Sequence, residues 1–142
     1  MQPALLSVDE LTRLLAKEFP EAFNDASGLA IEAVWLGGCR VRQAFRQAAL
    51  RPGGTLSGPS MMALADVAMY VGILASIGWK PLAVTTNLNV NFLRLPAPAD
   101  LIAECRLLKL GKRLAVGDVS IFSDGQEGVV AHATSTYSLP VR

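Results

Sequence analysis

A single acid interrupts the most apolar stretch of the sequence. Asp66 is the only charged residue between Pro52 and Trp79, and its immediate neighbours are Leu, Ala and Val residues. A carboxylate in such surroundings is poorly solvated, so we expect a raised pKa that suits a general base or a nucleophile. The alternative is a structural acid that hydrogen-bonds to a partner helix or a strand end. We favour the functional role because burying an acid without one costs free energy.

A second candidate group precedes Asp66 by a little over two helical turns. Gly58 stands where a long helix is predicted to begin, and the unpaired N–H groups and dipole of a helix start favour an oxyanion. Pro59 lacks an N–H, which removes one donor from this end. Ser57 is interpreted as a polar residue hydrogen-bonding near a substrate carbonyl. A nucleophilic Ser57 would need an acid nearby, and the only histidine, His132, has no local triad context.

These groups require a long helix to position them. The sequence from Ser60 to Ile77 is almost entirely Met, Ala, Leu, Val and Ile, with Pro59 suited to the first turn and Gly78 to the C-cap. A membrane span of this length would be at the short limit, with an acid in its first half. A helix wrapped by a sheet explains the pattern better, so no membrane partner is expected.

The rest of the chain predicts one short helix and six strands. Ser7 and Glu10 form a capping box for a helix from Val8 to Glu18. Gly37-Gly38 predicts a hairpin between the first two strands. Four longer strands follow the long helix and are joined by short turns, which predicts an antiparallel meander. The six predicted strands are Ile31–Leu36, Arg40–Phe45, Leu82–Leu93, Leu101–Leu110, Arg113–Phe122 and Val129–Leu139.

The third strand has two different faces. Its even positions from Leu82 to Phe92 are mostly apolar, whereas its odd positions include Thr85, Asn87, Asn89 and Asn91. The predicted fold class is therefore α+β: one domain, residues 1–142, in which an antiparallel sheet of about six strands wraps one long apolar helix, with a short N-terminal helix beside it.

Several segments resemble the PaaI-like branch of the hotdog thioesterases, in the 4-hydroxybenzoyl-CoA thioesterase-like superfamily. The resemblance covers about four fifths of the chain and depends on the order and spacing of its motifs. These are Gly53-Gly54-Thr55-Leu56-Ser57-Gly58-Pro59, Leu64-Ala65-Asp66, Asn91-Phe92-Leu93-Arg94, Gly111-Lys112-Arg113 and Ala131-His132-Ala133-Thr134.

The resemblance implies a hotdog fold and hydrolysis of an acyl-CoA thioester. Asp66 would act as general base or nucleophile, and the Gly58 N–H would bind the oxyanion. Because the acid of one subunit faces the helix start of its partner in this family, a homodimer is implied, with a dimer of dimers as the expected assembly. Coenzyme A enters as part of the substrate, and no other cofactor is expected.

Ser57-Gly58-Pro59 stands where the family pattern has His-Gly-Gly. This departure motivates an alternative function, a non-catalytic hotdog protein that binds an acyl-CoA or another small ligand. A hotdog dehydratase is disfavoured because it needs an Asp and His pair on a short motif, which the sequence lacks.

Further residues are candidates for substrate binding. Tyr70 is one turn after Asp66 and would orient water or line the acyl pocket, or else belong to the core. Asn87 and Asn89, with Asn91, would bind the pantetheine arm or form a polar ladder. For the phosphates of CoA the candidates are Arg94, Lys112 and Arg113, unless they are only solvated. For the acyl pocket wall we expect Met61, Met62, Met69 and Val71.

The composition excludes several other classes. The net charge is +1, and no basic cluster with interleaved aromatics suggests nucleic acid. No metal-ligand spacing or GxGxxG motif is present, so neither a metal nor a dinucleotide is expected. Cys39 and Cys105 fit two reduced, buried thiols, and no signal peptide is recognisable, so the expected location is the cytoplasm. Hydrophobic residues make up 51% of the chain, which favours a subunit interface.

Overall fold

The short N-terminal helix α1 spans Val8–Glu18, as predicted, and begins with the capping box. Ser7 Oγ accepts from the Glu10 N–H at 3.1 Å, and Glu10 Oε1 accepts from the Ser7 N–H at 3.0 Å. Leu11 and Leu15 on its apolar side are fully buried. This packing fixes the end of α1 against the rest of the protein, where it borders the candidate site.

The computed structural model describes residues 1–140. After α1 come strands β1 and β2, the long helix α2, and four further strands. Their bounds are β1 Leu29–Trp35, β2 Gly38–Gln43, α2 Gly58–Ile77, β3 Val84–Phe92, β4 Leu101–Leu110, β5 Leu114–Ser123 and β6 Val129–Ser138. The predicted elements are all present, with ends shifted by up to two residues. Gly38 belongs to β2, and Gly37 alone takes a positive φ, of 96°, in the hairpin turn.

The strands form one antiparallel sheet in the order β1-β2-β4-β5-β6-β3. The predicted meander is correct for β4, β5 and β6, but wrong for β3, which pairs with β6 at the far edge. The β3–β4 connection contains Pro96 and Pro98 and is too long for a tight hairpin, so it carries the chain across the sheet. As a result β3 is an edge strand.

Helix α2 lies against one face of this sheet and is buried over most of its length. It is long and apolar enough to cross a membrane, and its place in the core accounts for that composition. Small residues permit the close packing: a Cβ added at Gly72 would lie 2.9 Å from Cys105 Sγ, and Cys39 Sγ donates to the Ala68 carbonyl at 3.0 Å. This is the predicted hotdog arrangement.

The opposite face of the sheet is polar. Arg42 on β2 forms ion pairs with Glu32 at 2.7 Å, Asp100 at 3.2 Å and Asp124 at 3.0 Å, which lie on three other segments. Asp118 on β5 contacts both Arg106 and His132 at 3.1 Å. We call this surface the outer face.

Candidate functional site

Asp66 lies in the middle of α2 at the border of a pocket of about 510 Å³. Four of the nine aromatic side chains of the chain line this pocket: Phe19, Tyr70, Trp79 and Tyr137. The carboxylate is half-buried, less than its apolar sequence neighbours led us to expect. We call this the Asp66 pocket.

Two hydroxyl groups hold one oxygen of Asp66. Thr85 Oγ1 donates to Asp66 Oδ1 at 2.7 Å, and the Tyr137 hydroxyl donates to the same oxygen at 2.8 Å. The Tyr137 hydroxyl also lies 3.0 Å from the Asp66 main-chain carbonyl. Among the described residues no donor contacts Oδ2, so the carboxylate is fixed through one oxygen and presents the other. A water or a thioester carbon is the chemical target that such an oxygen could reach.

The pKa of Tyr137 supports its role as a donor. Burial raises the pKa of this hydroxyl far above its ordinary value, and the negative charge of Asp66 raises it further. Tyr137 therefore keeps its proton throughout the physiological range. Its ring stacks on Tyr70, with centroids 6.2 Å apart, and the Phe19 ring meets Tyr70 edge-on at the same distance.

Tyr70 lines the Asp66 pocket. That this pocket holds an acyl group stays a prediction. The Tyr70 hydroxyl donates to the Pro81 carbonyl at 2.7 Å, and burial raises its pKa. This contact joins α2 to the loop before β3, so the Tyr70 hydroxyl is engaged in structure and not aimed at Asp66.

Gly58 is the first residue of α2, two residues earlier than the predicted run from Ser60. Ser57 is the N-cap: its Oγ accepts from the Ser60 N–H at 3.3 Å and shares a 2.9 Å hydrogen bond with Ser60 Oγ. Within the described chain the Gly58 N–H has no partner, as expected for a first helical residue. Gly58 lies beside β3, since a Cβ added there would lie 3.4 Å from the Phe92 ring.

The structure does not bring Gly58 and Asp66 together within one subunit. They are eight residues apart on one helix, which is about 12 Å along its axis. The two chemical groups can share a site only if another copy of the chain supplies one of them.

The asparagines lie on the side of the sheet away from Asp66. Asn87, Asn89 and Asn91 pair with Thr136, Thr134 and His132 of β6 on the outer face. His132 contacts Asp118 there; burial favours a higher pKa for Asp118, but hydrogen bonds from Arg106 and His132 outweigh it and lower that pKa. Asn87 and Asn89 are therefore not neighbours of Asp66 in the protomer.

The predicted phosphate-binding cations are divided between two places. Lys112 and Arg113 line a second pocket of about 600 Å³, together with Lys80, which sequence reasoning missed. Arg94 lies apart from them, donating to the Val129 carbonyl at 2.8 Å. Residues 1–140 contain no group of three or more His, Cys, Asp or Glu side chains arranged to hold a metal ion.

The predicted methionine wall is wrong. Met61, Met69 and Val71 are at most 3% exposed and belong to the core, and Met62 is on the surface. None of them lines the Asp66 pocket, which is bordered by aromatic rings and Glu18. The helical pattern gave no signal for Glu18, Trp79 or Tyr137, because these come from a helix end, a loop and the last strand.

The sequence and the fold are similar to those of known proteins. Residues 53–135 match the thioesterase superfamily. A Saccharolobus solfataricus protein, named by inference as an esterase, is 32% identical over 133 residues, which is 94% of this chain and 85% of that protein. A crystal structure from Silicibacter sp. TM1040, described as a thioesterase by inference, is 45% identical with a TM-score of 0.86, covering 96% of this chain and 94% of that one.

The fold is also that of the phenylacetic acid degradation protein PaaI from Thermus thermophilus, solved in a mutant form. That structure has a TM-score of 0.72 at 24% identity and covers 85% of this chain and 99% of its own. The segment that matches the superfamily, residues 53–135, includes Gly58, Asp66, Thr85 and all but the last few residues of β6. The chain therefore belongs to the thioesterase superfamily and has its hotdog fold.

Proposed function

We propose that this protein hydrolyses an acyl-CoA thioester, with Asp66 as general base or nucleophile and the Gly58 N–H as oxyanion donor. The observation that carries the proposal is the Asp66 carboxylate, held through Oδ1 by Thr85 and Tyr137 at the edge of a pocket. A hydrolase needs only water besides its substrate in this scheme, so no cofactor is required. The expected location remains the cytoplasm.

The edge strand suggests how two copies would complete the site. Within residues 1–140 one side of β3 has no strand partner, and its ends carry Val84 and Phe92, which are 56% and 49% exposed. If β3 pairs antiparallel with the same strand of a second copy, the Thr85 end of one strand meets the Phe92 end of the other. Thr85 holds Asp66 and Phe92 lies beside Gly58, so this pairing brings Asp66 toward Gly58 of the second copy. The functional unit is then a homodimer, and we propose a dimer of dimers as the full assembly.

The first test is release of free thiol from a panel of acyl-CoAs. We expect Asp66→Asn to reduce turnover by about 10²-fold or more, as for loss of a general base. Asp118→Asn on the outer face is the matched control and should leave turnover near the wild-type value. Equal rates for wild type and Asp66→Asn would remove Asp66 from the mechanism. Bound acyl-CoA without turnover in the wild type would instead favour the non-catalytic binding protein.

Subunit mixing tests whether the site is shared. Gly58→Val should be inactive because its branched side chain, whose Cβ alone would lie 3.4 Å from the Phe92 ring, obstructs the helix start where the oxyanion is proposed to bind. Random reassortment with Asp66→Asn makes half of the dimers hybrid, each with one intact site, so about a quarter of wild-type activity should return. A mixture that stays inactive while mass measurements show hybrid dimers would contradict the shared site.

We propose that the CoA phosphates bind in the pocket that Lys80, Lys112 and Arg113 line, because phosphates need positive charge. Lys112→Glu should raise the KM for an acyl-CoA at low salt. It should leave hydrolysis of the matching acyl-N-acetylcysteamine unchanged, because that substrate lacks the phosphates. An equal effect on both substrates would count against this assignment.

A further inference from the structure

The side chains that line the Asp66 pocket carry net negative charge. Among the described residues that line it, Glu18 and Asp66 are acids and none is Lys or Arg. Lys80, in the loop that borders the pocket, lines the other pocket instead. A ligand group entering the Asp66 pocket therefore meets negative charge from two elements, the end of α1 and the middle of α2.

The remaining lining suits an acyl group better than a pantetheine arm. A pantetheine arm has two amides whose carbonyls need donors, but the hydroxyls of Thr85, Tyr137 and Tyr70 already donate their protons to protein atoms. The aromatic rings offer apolar contact and, to a cation, attraction by the negative faces of the rings. On the proposed function, the acyl chain is the part of the substrate that lies here.

Glu18 is held near these rings by its neighbour. Phe19 caps α1, its N–H donates to the Leu15 carbonyl at 2.8 Å, and its ring meets Tyr70 edge-on. The carboxylate of Glu18 is exposed and forms no ion pair with any described residue, so its charge is available to attract or repel a ligand. It differs in this from Asp66, which is fixed by two hydroxyls.

We propose that the Asp66 pocket selects acyl groups by charge, and that Glu18 is a specificity-determining residue. Acyl groups ending in a cation such as a quaternary ammonium bind best, uncharged groups bind less well, and groups ending in a carboxylate are rejected. The rejection follows from repulsion by the exposed Glu18 and the half-buried Asp66, which line the same half-enclosed pocket. The preference for a cation adds the aromatic contribution of the pocket wall.

The test uses S-alkyl CoA thioethers, which cannot be hydrolysed, so binding is measured independently of catalysis. The set is S-hexyl-CoA and its analogues with a terminal carboxylate and a terminal trimethylammonium group. By calorimetry we expect the cationic analogue to bind the wild type about tenfold more tightly than the anionic one, with the neutral one between, as for like and unlike charges at intermediate dielectric.

Glu18→Gln should reduce the difference between the cationic and anionic analogues by about threefold, since one of the two acids is lost. Glu21→Gln is the matched control: an exposed acid three residues further on that does not line the pocket, and it should leave the order and the difference unchanged. Equal affinities of the three analogues, no binding of any, or equal shifts in the two variants would overturn the proposal. Failure of the hydrolytic function would instead show as no thiol release with charge selection in binding intact.

Discussion

Tyr137 provides the sharpest test of the site because its hydroxyl can be removed without moving its ring. Its hydroxyl donates to Asp66 Oδ1 at 2.8 Å, and its ring stacks on Tyr70. Tyr137→Phe keeps the stack and, among the described residues, leaves Thr85 as the only donor to that oxygen. The carboxylate then loses half of the hydrogen bonds that orient it, so we expect a lower kcat and little change in KM.

The magnitude follows from the type of hydrogen bond. One to a charged group contributes about 1.5–3 kcal/mol, and water replaces part of it because Asp66 is half-buried, so about 1–2 kcal/mol is lost. That corresponds to a decrease in kcat of about 5- to 30-fold. The assay is steady-state thiol release from the best acyl-CoA of the panel, with thermal unfolding measured in parallel.

The control for Tyr137→Phe is Tyr70→Phe, which removes a hydroxyl of the same pocket that bonds to Pro81 and not to Asp66. Its kcat should fall by less than about twofold, because the hydrogen bond that is lost does not contact the reacting carboxylate. In the Asp66→Asn background, Tyr137→Phe should have no further effect. Equal decreases for the two Tyr variants, or a change confined to KM, would refute the positioning role.

Three further predictions concern stability. Gly72→Ala should destabilise by about 1–3 kcal/mol, because the added Cβ would lie 2.9 Å from Cys105 Sγ; denaturant unfolding should show part of the loss recovered in Gly72→Ala/Cys105→Ala. Because its pKa is lowered in the folded protein, ionised Asp118 stabilises the fold above the unfolded pKa of about 4, and this stabilisation is lost as pH falls through the lower folded pKa. The unfolding free energies of wild type and Asp118→Asn should therefore differ near neutrality and converge below about pH 4. A difference that stays constant with pH would contradict this. Leu11→Ala should lower the free energy of unfolding by about 2–5 kcal/mol in the same assay, since Leu11 is fully buried on the inner side of α1.

Local patterns predicted the elements well because their physical causes are local. The capping box at Ser7 fixes the start of α1, and the bounds of α1 and β4 coincide with the prediction. The long apolar run predicted α2 because a helix apolar on all sides must be enclosed. Strand order is decided by a long connection, which has no such local signature, and β3 was accordingly misplaced.

The site was predicted only where one element carries it. Asp66 is conspicuous within α2, whereas Thr85 and Tyr137 reach it from strands, and Glu18 from the end of another helix. Their convergence depends on the strand order that the pattern could not give. Asp66 was expected to be poorly solvated but is half-buried, because the pocket opens beside it.

A single irregularity in β3 explains why Thr85 was grouped with the asparagines. Thr85 is opposite Tyr137, but Asn87 is opposite Thr136, so Thr86 is an extra residue in the strand. It reverses the alternation: Thr85 points toward α2, and Asn87, two positions later, points to the outer face. In evolutionary terms, the presence of Thr86 decides which face of the sheet Thr85 occupies relative to the asparagines. A one-residue deletion there would put Thr85 in phase with Asn87, and Asp66 would lose a hydrogen-bond donor although every side chain proposed to contact the substrate remained in the sequence.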